Sequence, residues 1–78
     1  MTTFRPNGYS KLDRPMPLYA ERAGYEFYVK GSDSVVVLND GGHRVVVEEW
    51  ASDASMTDLW SAIEKDARER GIPVWRPL

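Results

Sequence analysis

The 78-residue chain contains no cysteine and only one histidine, His43. Without cysteine it has neither a disulfide framework nor a thiolate metal site, which are common supports of very small secreted domains. A lone histidine also lacks the additional ligands of a metal centre and the oriented partner of a general base. We therefore expect no catalysis, no metal and no cofactor, and a reducing cellular compartment.

The chain also lacks a long apolar run. Its longest purely aliphatic stretch is Val35 to Leu38, far shorter than the roughly 20 residues that cross a bilayer. The N-terminus carries no apolar stretch of signal-peptide length. These absences predict a cytoplasmic protein without membrane association, and the length of residues 1–78 predicts one small domain.

Charge of neither sign predominates in the whole chain. Ten basic and twelve acidic residues give a formal charge of −2, which is a weak footprint for a nucleic-acid-binding protein. Residues 1–30 hold five bases and three acids, whereas residues 31–78 hold five bases and nine acids. The C-terminal part is therefore the acidic one.

Prolines and glycines punctuate residues 1–23. Arg5-Pro6-Asn7-Gly8 and Arg14-Pro15-Met16-Pro17 favour turns and extended backbone over a long helix. The segment is nevertheless too rich in aromatic and aliphatic residues for a disordered tail. We expect an extended arm that lies on the domain or becomes ordered when a partner binds.

Residues 24–50 have the pattern of a three-stranded β-meander. Apolar and polar residues alternate from Tyr25 to Lys30, which is typical of a half-buried strand. A turn at Gly31 to Ser34 precedes Val35 to Leu38, which is apolar on both faces, as central strands usually are. The third strand follows and ends at Trp50.

A glycine pair precedes the third strand. Asp40-Gly41 is a favoured two-residue hairpin loop. Gly41-Gly42 before His43 superficially resembles a phosphate cradle beside a general base, but such cradles lead into a helix, whereas these glycines lead into a strand. We therefore predict a hairpin here.

The hairpin predicts which side chains share a face of the sheet. It pairs Leu38 with His43 and Val36 with Val45, and a four-residue loop gives the same facing. The predicted core face carries Tyr25, Phe27, Val29, Val36, Leu38, Val45 and Val47. The opposite face carries Glu26, Tyr28, Lys30, Val35, Val37, Arg44, Val46, Glu48 and Trp50. This second face is half apolar, so we expect the arm, a second copy of the chain or a partner to cover part of it.

A helix is predicted over residues 55–70. Ser55 with Asp58 three residues on has the form of a helix start, and an apolar stripe at helical spacing follows it. Gly71 is suited to ending the helix. In the tail, residues 71–78, Val74 and Trp75 either form a short edge strand or lie back over the domain.

The predicted fold is α+β. It combines a three-stranded antiparallel β-meander (24–50), one C-terminal helix (55–70) packed against it, an extended N-terminal arm (1–23) and the tail (71–78).

One segment concentrates negative charge. Within the helix, Glu64 and Asp66 each precede an arginine by four residues and can pair with it. Residues 48–58, by contrast, contain four acids and no base. The acids either complement the helix dipole and keep an edge strand soluble, or they bind a basic surface.

The binding interpretation predicts an interface at this segment and the neighbouring sheet face. Trp50 is the expected aromatic anchor, because such residues are enriched at interface hot spots, whereas Trp60 lies on the apolar stripe of the helix and is expected in the core. The predicted partner-binding residues are Glu48, Glu49, Trp50, Asp53, Asp58, Tyr28 and Arg44.

The size, the absence of cysteine, the mild acidity and the meander-plus-helix pattern together resemble the small inhibitors of phages and mobile elements, notably anti-CRISPR proteins. Those inhibitors share no diagnostic motif, so the resemblance covers the format of the chain and implies no residue. It implies stoichiometric binding to a CRISPR effector complex, without turnover, that blocks target DNA or nuclease recruitment. Separately, we expect a monomer or weak homodimer, in the host cytoplasm if the protein is phage-encoded. The alternative is a small nucleic-acid-binding module that uses the basic arm.

Overall fold

Four antiparallel strands and two helices make up residues 3–75, the part of the chain that this computed structural model describes. The sheet order β1-β2-β3-β4 follows the sequence, so the strands form a meander. The elements are β1 (Ser10–Leu12), α1 (Leu18–Ala23), β2 (Tyr25–Lys30), β3 (Asp33–Asp40), β4 (His43–Trp50) and α2 (Met56–Arg70).

The α+β class, the meander and the C-terminal helix are confirmed, but the predicted count of three strands is wrong. The fourth strand, β1, lies inside the predicted arm and pairs antiparallel with β2, with Lys11 opposite Tyr28. The arm also holds α1, which starts directly after Pro17. Proline is tolerated at a helix start, where its missing N–H would be unpaired anyway. Residues 3–23 of the arm therefore lie on the domain.

The arm covers the sheet face that lies opposite α2. Phe4 is buried there, and its ring centroid lies 5.0 Å from that of Tyr28 and 4.9 Å from that of Tyr9. Before this crossing, Thr3 forms a bridge with Val45 on the outer side of β4; after it, β1 pairs with the opposite edge. The arm-side cluster comprises Phe4, Tyr28, Val35 and Val37, with Tyr9 and Val46 packed against it.

The helix-side cluster is the larger core. Leu59, Ile63 and Ala67 of α2 are fully buried against the sheet, which confirms the predicted stripe, although Met56 at its start is 38% exposed. Ser55 and Asp58 form the predicted capping box. The remaining buried members of this cluster are Tyr19, Ala20, Tyr25, Phe27, Val36, Leu38 and Ala54.

Polar contacts fix α2 across the sheet. The Tyr25 hydroxyl donates a hydrogen bond to Asp66 Oδ2 at 2.7 Å, and Arg70 Nε donates to the same oxygen at 2.7 Å. Burial and the bond to Asp66 raise the pKa of Tyr25, so its hydroxyl stays a donor at neutral pH. The predicted pairs of Asp66 with Arg70 and of Glu64 with Arg68 are both present.

A β-bulge in β4 changes the predicted facing of its second half. Gly41 and Gly42, rather than Asp40 and Gly41, form the hairpin loop, and Leu38 pairs with Val45. The register then shifts, because Val37 pairs with Val46 but Val36 pairs with Glu48. The extra residue is Val47.

The bulge corrects two predicted positions. Glu48 and Trp50 were expected on the face opposite the core, but Val36 and Ser34 are their partners, and the Trp50 side chain packs against the helix-side cluster. Glu49 pairs with Val35, a member of the arm-side cluster, and so lies on the arm side. The sequence gives no sign of this shift, since residues 45–47 are all valine.

Val74 and Trp75 do not form the short edge strand that was one of the two predicted forms of the tail. Val74 instead packs against the helix-side cluster. Arg22 lies over the Trp75 ring, 5.7 Å from its centroid. Residues 1–2 and 76–78, at the ends of the predicted arm and tail, fall outside the described residues.

Gly24 joins α1 to the sheet, and its replacement by alanine should destabilise the fold strongly. Its φ of +106° disfavours a side chain, and an added Cβ would meet the Asn39 carbonyl oxygen at 2.6 Å. Gly31→Ala is the matched control, because Gly31 also has positive φ (+60°) but has no atom within 4 Å of the added Cβ. In urea unfolding we expect a loss of about 1–2 kcal/mol for the control and at least about 1 kcal/mol more for Gly24→Ala. Equal losses would show that the close approach to Asn39 does not matter.

Candidate functional site

Trp50, at the end of β4, lies where two surface grooves meet. A helix-side groove of about 260 Å³ runs between β4 and α2, and an arm-side groove of about 320 Å³ lies between β4, the start of β3 and the arm. Trp50 lines both. We call the two grooves together, with their four carboxylates (Asp33, Glu48, Glu49 and Asp58), the Trp50 surface.

The helix-side groove brings together two of the predicted acids. Glu48 reaches it from β4, while Asp58 reaches it from the first turn of α2, where it also completes the capping box with Ser55. Both acidic residues are exposed. Among residues 3–75, Lys65 is the one cation lining either groove, so the Trp50 surface carries an excess of negative charge.

The arm-side groove holds an acid that the sequence analysis missed. Glu49 lies there with Asp33, over a floor that includes the buried Val35 and beside Tyr9 of the arm. Asp33 was placed in a turn, whereas it is the first residue of β3. Extending the antiparallel pairing of β3 and β4 by two residues would have placed Asp33 near the end of β4.

Asp53 lies outside the Trp50 surface. It belonged to the predicted acidic segment because no base is near it in sequence, but Arg14 of the arm donates a hydrogen bond to Asp53 Oδ1 at 2.7 Å and to the Ala54 carbonyl at 3.1 Å. Arg14 also lies over the Phe27 ring, 5.1 Å from its centroid. Asp53 therefore helps to hold the arm to the loop before α2.

Tyr28 and Arg44 belong to a network on the arm side of the sheet. Glu26 Oε1 accepts hydrogen bonds from Arg44 Nε at 2.8 Å and from the Tyr28 hydroxyl at 3.1 Å, and Glu26 Oε2 accepts one from Lys11 Nζ at 3.2 Å. Tyr28 is only 4% exposed. A partner can contact its side chain only if the arm moves away.

The same network gives Glu26 a pH-dependent role. Partial burial raises the pKa of Glu26, but the bonds from Arg44, Lys11 and Tyr28 outweigh burial and hold the pKa below its ordinary value of 4.5. The carboxylate therefore stays ionised at neutral pH and joins β1 and β4 to β2.

Several bases of the predicted nucleic-acid arm make contacts within the protein. Lys11 and Arg14 form ion pairs with Glu26 and Asp53. Arg22 lies over the Trp75 ring. These contacts spread the bases over different sides of the domain instead of gathering them into one stripe.

His43 is exposed beside the β3–β4 turn, with its Nε2 atom 3.5 Å from Thr3 Oγ1.

Within residues 3–75, no group of three or more histidine or acidic side chains is placed to hold a metal ion. No helix in the same range is both long enough and apolar enough to cross a membrane. The chemistry that the Trp50 surface offers is recognition of cations by carboxylates around an aromatic residue.

Comparison with known proteins finds no match for the chain. No protein-family model matches it, and neither a curated protein nor a solved structure does. The geometry and charge of the Trp50 surface therefore carry the information on function.

Replacing Glu26 with glutamine should lower the free energy of unfolding at neutral pH and make it depend less on pH in the acid range. Because the folded-state pKa is depressed, the carboxylate stabilises the fold above its unfolded-state value of about 4.5, and this contribution is lost as pH falls through the folded-state value. We expect Glu26→Gln to cost about 1–2 kcal/mol at pH 7 and progressively less below pH 4.5, measured by urea unfolding. A pH-independent difference between the two proteins would contradict this assignment.

Proposed function

We propose that this protein is a non-enzymatic binding protein that inhibits its partner by occupying a basic surface with the Trp50 surface. The observation that carries the proposal is the placement of four carboxylates in two grooves that share one tryptophan: Glu48 and Asp58 on one side, Glu49 and Asp33 on the other. Tryptophan is enriched at interface hot spots, and the rim around such an anchor is polar.

The charge of this surface selects the class of partner. Carboxylates spaced along two neighbouring grooves can occupy lysine and arginine positions that otherwise contact phosphates, and they accelerate association with a basic partner. A nucleic-acid-binding protein is thus the favoured partner. The specific form of the proposal is an anti-CRISPR protein, in which a CRISPR effector is the partner and its target DNA or its nuclease is excluded.

Charge reversal should abolish partner binding without unfolding the protein. The test variant is Glu48→Lys with Glu49→Lys, which places a cation in each groove. The matched control is Glu21→Lys with Glu69→Lys, since both of these acids are exposed and lie on the helices, outside the two grooves. We expect the test variant to bind at least about 100-fold more weakly, because like charges now face each other. Circular dichroism should show both variants folded.

The partner for this titration comes from host lysate, captured on the wild-type protein and then purified; a purified host CRISPR effector is titrated in parallel. Equal affinity of the test variant and the wild type would sink the site assignment. A gel shift of DNA or RNA by the protein alone, with a steep salt dependence, would instead favour the nucleic-acid-binding alternative.

A further inference from the structure

The outer edge of β4 is open next to Trp50. In the sheet order β4 is the last strand, and on its outer side residues 3–75 provide one short contact, made by the arm. There Thr3 pairs antiparallel with Val45, and the Phe4 amide donates a hydrogen bond to the Arg44 carbonyl at 2.7 Å. The arm thus shows that this edge accepts a strand, and from Glu48 to Trp50 no strand of the described chain occupies it.

Side chains on both faces of this edge carry the same sign of charge. Glu48 lies in the helix-side groove and Glu49 in the arm-side groove. Successive residues of an incoming strand also point to opposite faces of the sheet. Two adjacent basic residues on such a strand would therefore place one cation in each groove, whereas two basic residues separated by one position would place both in the same groove.

A second copy of this chain is a poor occupant of the edge. Pairing of two β4 edges would bring glutamates opposite one another, which destabilises a strand pair. The bulge at Val47 and the acidic side chains are also features by which edge strands avoid pairing with their own kind. The acidic side chains do not oppose a strand of positive charge, and the bulge lies before the open stretch from Glu48 to Trp50.

We propose that the β4 edge binds an extended segment of the partner by strand addition, with two adjacent arginines of that segment entering the two grooves of the Trp50 surface. This inference rests on the proposed function and names the recognition element within it. Arginine is the expected residue because its planar guanidinium donates paired hydrogen bonds to a carboxylate. The backbone pairing supplies affinity, and the arginine spacing supplies specificity.

Synthetic peptides test the inference on the whole protein. The first is a fluorescein-labelled octapeptide of alternating threonine and valine with two adjacent arginines at its centre; the second has the same composition with one threonine between the arginines. In fluorescence anisotropy at low salt we expect the adjacent-arginine peptide to bind about fivefold more tightly. Glu48→Gln and Glu49→Gln should each weaken its binding roughly twofold to fivefold, and Glu69→Gln should not.

Backbone methylation separates strand addition from simple charge attraction. Two versions of the adjacent-arginine peptide are N-methylated on alternate residues, so that one version loses the amides facing β4 and the other loses those facing away. We expect about a fivefold loss for one version only, because each missing hydrogen bond weakens binding.

Absence of peptide binding, equal affinity for both spacings, or equal effects of the two methylation patterns would each overturn strand addition. The proposed function would survive such a result if the Glu48→Lys and Glu49→Lys double variant still lost the whole partner. In that case the Trp50 surface recognises a folded basic surface rather than an extended segment.

Discussion

The central strand β3 is apolar on both faces, and most of the structure follows from the need to cover both. Val36 and Leu38 face the helix-side cluster, while Val35 and Val37 face the arm-side cluster, and all four are buried. A single helix can cover only one face of a sheet. The N-terminal segment therefore covers the other face of the sheet. Residues that would otherwise form a tail thus make up a further layer of this very small domain.

The path of that segment explains how the sheet edges are arranged. The segment leaves the outer side of β4 at Thr3 and crosses the sheet face, on which its Phe4 and Tyr9 pack. From there it reaches the far edge of the sheet as β1. It then turns to the helix side, where the Trp60 indole N–H donates a hydrogen bond to the Pro15 carbonyl at 2.9 Å. Since the arm pairs with β4 only near its beginning, the end of β4 stays open at Trp50.

Elements whose signals are local in the sequence could be predicted. Ser55, Asp58 and Gly71 fix both ends of α2 through contacts within a few residues, so their spacing alone was sufficient. The strand in the arm was harder to predict, because β1 has only three residues and its partners in β2 are distant in sequence. Lys11 pairs with Tyr28, seventeen residues on, and Ser10 pairs with Val29. Such a short strand has no period of its own to detect.

The composition of the candidate site depended on the least visible feature, the bulge. Asp53 was grouped with Glu48 and Glu49 because they are close in sequence. In the structure Asp53 forms an ion pair with Arg14, and Asp33 lies in the same groove as Glu49. With valine at positions 45–47, the alternation carries no information on where the register shifts. The prediction therefore assigned Glu48 and Trp50 to the wrong face.

The distribution of ion pairs explains why the surface around Trp50 stays acidic. Among residues 3–75, five ion pairs join five bases to only four acids, because Glu26 accepts from both Lys11 and Arg44. These ion pairs thus use more bases than acids, although the whole chain has two more acids than bases. The acids outside these pairs must outnumber the remaining bases, and four of them border the grooves at Trp50. The two bases that fasten the arm, Lys11 and Arg14, pair with Glu26 and Asp53, which lie outside the two grooves. The contacts that hold the arm on the sheet therefore leave the four carboxylates at Trp50 without these cations.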